Sequence, residues 1–187
     1  SQGGALSWRE VARQLISGAA DGAFIFAADT GGSPGVNSPT FNCSDDNATG
    51  ALVACYQLSG SEVDPTSHAF MSPMSSIRQV QTAAASNTGR SITFSLSVMS
   101  GNAVILSTGG LVAPTGAAPS NVSQTLNNSW TTPSGGFALA HRNSGETGST
   151  FVYSSVAAGG AVMGVEIWAT GQIPSGDPCG MSGVFGY

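Results

Sequence analysis

Lysine is absent from this sequence, and charge of either sign is scarce. Asp, Glu, Lys and Arg make up 8% of the 187 residues, against about 25% in ordinary soluble domains. The five cations are all arginines, Arg9, Arg13, Arg78, Arg90 and Arg142. Scattered arginines under a formal net charge of −5 cannot neutralise a run of phosphates, so no nucleic-acid binding is expected through this segment. A free-standing cytoplasmic enzyme relies on surface charge to stay soluble and apart from its neighbours. A surface this neutral suits a protein covered by copies of itself, or one that works outside the cell.

Long apolar runs are missing too. No stretch approaches the roughly 20 residues that cross a bilayer as a helix, so no membrane span is expected. The opening Ser1-Gln2-Gly3-Gly4 has no basic residue followed by an apolar run, and no secretory leader is read there. Three cysteines occur, in no zinc or redox spacing. Cys43 and Cys55 flank a polar loop and could bridge as a hairpin staple if their Cα atoms lie within about 7 Å. Three free thiols, Cys179 included, are the plainer alternative.

Catalytic signatures are lacking as well. No phosphate-cradling G-x-x-x-x-G-K-[ST] or G-x-G-x-x-G occurs, and Gly180-Met181-Ser182-Gly183 lacks the form of a nucleophile elbow. The histidines are His68 and His141. Asp64-Pro65-Thr66-Ser67-His68 places a carboxylate, a hydroxyl and an imidazole close together, but a triad is a matter of geometry rather than local spacing, and the segment reads as a hydrogen-bonded loop. Asp45 and Asp46, with Ser44 and Asn47, form a small oxygen-rich cluster. Calcium takes six to eight oxygens, so this is where calcium could bind, although no D-x-D-x-D-G run is present and a solvated acidic turn is the plainer account of the cluster. The expectation is no enzyme and no cofactor, calcium being the one the loop could take.

Hydrophobic residues at 41%, arranged periodically, argue for a packed fold, and the length suits one domain, residues 1–187. Ser7-Trp8-Arg9-Glu10 has the pattern of a capping box, with Leu6 and Val11 placed as a hydrophobic staple. Trp8, Val11, Leu15 and Ile16 form an apolar stripe and Gly18 a stop. This predicts a short amphipathic helix over 7–17, with Trp8, Val11 and Leu15 as a subunit contact.

From residue 23 onward the periodicity is that of strands. Expected strands cover 23–28, 51–58, 77–82, 92–98, 103–107, 121–126, 137–141, 150–156 and 161–169. In 92–98 strict alternation puts Ile92, Phe94, Leu96 and Val98 on one face. Ser100-Gly101-Asn102 supplies a tight turn, which makes 103–107 the hairpin partner. About eight strands without βαβ alternation or internal repeat predict an all-β fold, an antiparallel β-sandwich with one short N-terminal amphipathic helix.

In the last strand Met163, Val165 and Ile167 alternate with Glu166 and Trp168. A Glu and a Trp on one face, with Trp130 as a further aromatic, could bind or hydrolyse a sugar. No second carboxylate accompanies Glu166 as a glycosidase requires. An exposed strand face, or one packed against a subunit, is the plainer account.

That strand, Gly160-Ala161-Val162-Met163-Gly164-Val165-Glu166-Ile167-Trp168-Ala169, followed by Gln172-Ile173-Pro174, resembles the end of a jelly-roll coat protein of small icosahedral viruses. The abundance of Ser, Thr, Gly and Ala and the scarcity of charge fit the same family. The resemblance implies a jelly-roll fold and a structural role. Such proteins usually carry an Arg/Lys-rich arm that binds the genome, which is not found here; either the arm lies outside this chain or the chain is a protruding domain. The leading expectation is a self-assembling subunit of a viral capsid or virion surface projection, with copies of itself as partners. The alternative is an extracellular glycan- or receptor-binding module, whose partner would be a host receptor or glycan.

Overall fold

The structure is a computed structural model that describes residues 8–15, 22–28, 76–85, 90–110, 122–131, 134–153 and 160–169. Within them lie nine strands and no α-helix: β1 (Arg9–Leu15), β2 (Gly22–Ala27), β3 (Ile77–Ala85), β4 (Arg90–Thr93), β5 (Ala103–Gly110), β6 (Ser123–Thr131), β7 (Ser134–Arg142), β8 (Thr150–Tyr153) and β9 (Gly160–Ile167). No helix among the described residues is long and apolar enough to cross a membrane.

Every strand pairing is antiparallel. A five-stranded sheet has the order β3-β9-β5-β7-β6, and β4-β8 and β1-β2 form two separate ribbons. The pairs are nested: β3 with β9, β4 with β8, β5 with β7. Successive pairs also alternate between layers, because β4 and β8 leave the large sheet while the pairs on either side remain in it.

The ribbons pack on opposite faces of that sheet. Ile92 and Phe94, with Phe151 and Tyr153 of β8, cluster with Val104 and Leu106 of β5, Ala138 and Ala140 of β7 and Val162 of β9. Phe94 and Phe151 meet edge to face, ring centroids 5.7 Å apart, the arrangement the ring quadrupoles favour. On the other face Ala23 of β2 packs with Ala161 and Met163, joined by Ala12 and Ile25. Thus β9 is covered from both sides and all eight of its residues are buried. A strand so placed reads as a continuous apolar run, and the sequence of β9 does so apart from Glu166.

Space decides the residue at Gly164. A Cβ there would lie 2.9 Å from Leu106 Cδ2 and 3.0 Å from Phe94 Cζ, so the missing side chain lets the β4-β8 layer approach. Gly145, with φ of 81°, occupies the left-handed region that glycine enters without strain, in the turn between β7 and β8.

Two sequence expectations are corrected here. Residues 9–15, inside the helix expected over 7–17, form β1, paired with β2 from Arg9↔Ala27 to Leu15↔Gly22. A capping box offers a few local hydrogen bonds, whereas β2 offers a whole ladder; tertiary pairing overrides local helix signals of this size. The hairpin of 92–98 with 103–107 is also replaced. β4 pairs with β8, and β5 pairs with β7 and β9, so residues 94–102 cross between layers. Ile92, Phe94 and Val98 are buried as the alternation requires, but Leu96 is 57% exposed. The side chains of 92–98 meet β5 face to face instead of side by side.

Candidate functional site

Among the described residues the densest polar arrangement is built around Glu166 at the end of β9. Strand alternation places Glu166 on the same face as Val162 and Gly164, toward β4 and the segment that follows it. Its carboxylate is fully buried and accepts from four donors. Met99 N–H and Asn102 Nδ2 bond Oε1 at 2.9 and 2.7 Å; Arg78 Nη1 and Gln79 Nε2 bond Oε2 at 2.6 and 2.5 Å. Adjacent residues of a regular strand point to opposite faces, so Arg78 and Gln79 should not both reach one carboxylate. A register irregularity between Ile77 and Gln79 resolves this, since a bulge sets two residues against one on the partner strand.

The same side chains lash down the crossing segment. Gln79 Nε2 donates to the Leu96 carbonyl at 3.0 Å, and Leu96 N–H donates back to Gln79 Oε1 at 3.2 Å. Arg78 also bonds the Ser97 carbonyl, and Gln81 bonds Ser95 Oγ. On the far side Phe94 N–H, Val98 N–H and Gly145 N–H bond the carbonyls of Ser149, Gly148 and Ser100. The guanidinium of Arg78 further lies 5.5 Å from the Trp168 ring centroid, within cation–π range, and Trp168 is itself buried. Glu166 and Trp168 do come together, through Arg78, but in the interior: a carboxylate with four donors and no exposure has no free lone pair to offer a sugar or a water. What it does is hold β3, β9 and the 94–102 segment in one arrangement.

A second buried charge lies across the same layer. Arg90 is fully buried and donates to Thr108 Oγ1 at 3.1 Å, while Thr108 donates to the Ala161 carbonyl. A Cβ at Gly160 would collide with this guanidinium. Burial pushes the Arg90 guanidinium below its ordinary range, yet an arginine remains charged at neutral pH.

The other expected site residues fall as follows. Trp130 lies in β6 opposite Gly135. Asp45, Asp46, Cys43, Cys55 and His68 lie outside the described residues, within which no three His, Cys, Asp or Glu come together. Of the expected subunit contacts, Trp8 and Leu15 are exposed and Val11 is half-buried. Sequence reasoning missed their neighbours Phe24 and Phe26, which are 47% and 41% exposed and stack with centroids 6.3 Å apart. The signal was present in Ala23-Phe24-Ile25-Phe26-Ala27, which is apolar on both faces although a ribbon at the outside of a fold buries only one. Set beside known protein families, curated proteins and solved structures, the chain matches none of them.

Proposed function

We propose that this chain is a structural subunit, a jelly-roll β-sandwich that assembles with copies of itself into a shell or a surface projection of a virion. The observation that carries the reading is the nested pairing of β3 with β9, β4 with β8 and β5 with β7, alternating between layers. A ribbon folded back on itself and rolled up produces this pattern, the construction of a jelly roll. The scarcity of charge and the exposed aromatics on the outer ribbon add weight, because faces buried between symmetric copies need few charges. The buried carboxylate and arginines act as internal ties, with no substrate in their role. Negative-stain electron microscopy and light scattering of the purified chain at rising concentration test the proposal. Closed particles, rings or regular clusters are expected; a monomer at every concentration would overturn it.

A further inference from the structure

The outer face of the β1-β2 ribbon has a composition that complements itself. Gln14, Ala12, Ala23 and Ile25 are less exposed and lie on the inward side or against it, with Ala12, Ala23 and Ile25 packed toward Met163. Glu10, Arg13, Leu15, Phe24 and Phe26 are exposed. Glu10 and Arg13 are three residues apart and would point to opposite faces of a regular strand. The register shift between Glu10 and Ala12 brings them to one face, where Arg13 Nε lies 3.2 Å from Glu10 Oε1. Across the ribbon Glu10 stands opposite Phe26, and Arg13 opposite Phe24. The face is therefore a block of four: an acid and a base along β1, two aromatics along β2.

We infer that this face is a contact between two copies of the chain, related by a two-fold axis that lies in the contact plane and runs across the strands. Such an axis reverses the strand direction without exchanging β1 and β2. It lays Glu10 over the partner's Arg13, Arg13 over the partner's Glu10, and Phe24 over the partner's Phe26. Both signs of charge and both rings then find their complements in one operation, as an isologous interface requires. The face carries no net charge in a chain whose formal charge is −5, so self-contact here avoids the repulsion the rest of the molecule would impose. Two strands of this length cover roughly 20 by 10 Å, a few hundred Å², against about 800 Å² per partner in a stable standard interface. The contact is hence one of several in an assembly and does not hold a dimer by itself; it rests on the self-assembly reading above.

Charge exchange tests it, with sedimentation velocity and light scattering on the full chain. Glu10→Arg and Arg13→Glu each set like charges against each other in homotypic contact, and each is expected to weaken self-association about tenfold or more. An equimolar mixture of the two variants, in which each contact between unlike variants again sets opposite charges against each other, is expected to recover association. Both positions are exposed, so thermal melting should match the parent chain and exclude misfolding as the cause. Single variants that associate like the parent, or a mixture that fails to recover, would overturn the two-fold contact while leaving self-assembly intact. A parent chain that is monomeric throughout would instead overturn the self-assembly reading.

Discussion

The two faces of the five-stranded sheet are covered very differently. The face under β4-β8 carries ten buried residues in one cluster, including three aromatic rings. The cluster under β1-β2 has three buried members, two of them alanines, with Leu139, Val165 and Ile167 buried on the same face outside it. The first layer is fastened by side chains as well, through Glu166, Arg90 and Tyr153, whose hydroxyl donates to the Leu106 carbonyl. The second meets the sheet through small residues and turns its larger ones outward. Since burial of apolar area drives folding, the β4-β8 face fixes the fold, and the β1-β2 ribbon remains available for contacts beyond the chain.

The most damaging changes accordingly lie around Glu166. Glu166→Ala would leave Arg78, Gln79, Asn102 and the Met99 amide facing a void, and removing one partner of a buried ion pair costs about 3–5 kcal/mol. The Arg78 side chain retains 14% exposure, which favours the lower end. Chemical denaturation should read the loss directly. Glu166→Gln should recover only part of it, because all four partners donate and an amide supplies one acceptor.

Gly164→Ala comes next. The added methyl meets Leu106, Phe94 and Ile92 within 3.2 Å, and overpacking of this kind costs about 1–3 kcal/mol. The midpoint of urea unfolding should fall with the slope unchanged. On the thin face, Met163→Ala removes the largest inward side chain of its cluster, and about 2 kcal/mol, the low end for such truncations, is expected in the same assay. A loss for Met163→Ala as large as that for Glu166→Ala would erase the asymmetry.

Much of the strand content was legible in the sequence: eight of the nine expected segments overlap β2 to β9, the segment 51–58 lies outside the described residues, and the two sides of β9 separate as its alternation indicates. The pairing was not. Alternation in 92–98 identifies which side chains go inward, but carries nothing about whether the next strand lies beside or beneath. The tight turn at Ser100-Gly101-Asn102 is real in composition, yet Gly145 N–H bonds the Ser100 carbonyl and Asn102 is committed to Glu166, so it serves a layer crossing. At the N-terminus a four-residue local motif ending at Glu10 was outweighed by β2, which begins only at Gly22. Glu166 and Trp168 were found as a pair, but their burial depends on Arg78 and Gln79 sharing a bulge, which no single-strand pattern reveals.

The smallest effect expected is also the sharpest comparison. Gly109 lies opposite Ala161 in the ladder and so shares the sheet face that β1-β2 covers. A Cβ there would find its nearest neighbours, Phe137 Cδ2 and the Gly136 carbonyl oxygen, at 3.5 and 3.6 Å, ordinary contact distances. Gly109→Ala therefore adds apolar contact without strain, and it also narrows the conformations open to the unfolded chain, a gain of about 0.4–1 kcal/mol at compatible sites. The same substitution should thus destabilise at Gly164 and stabilise at Gly109, though both are strand glycines in the same sheet. Opposite shifts in the thermal midpoint would tie the difference to what covers each face, whereas a loss at Gly109 would mean that the β1-β2 layer is packed as tightly as its counterpart.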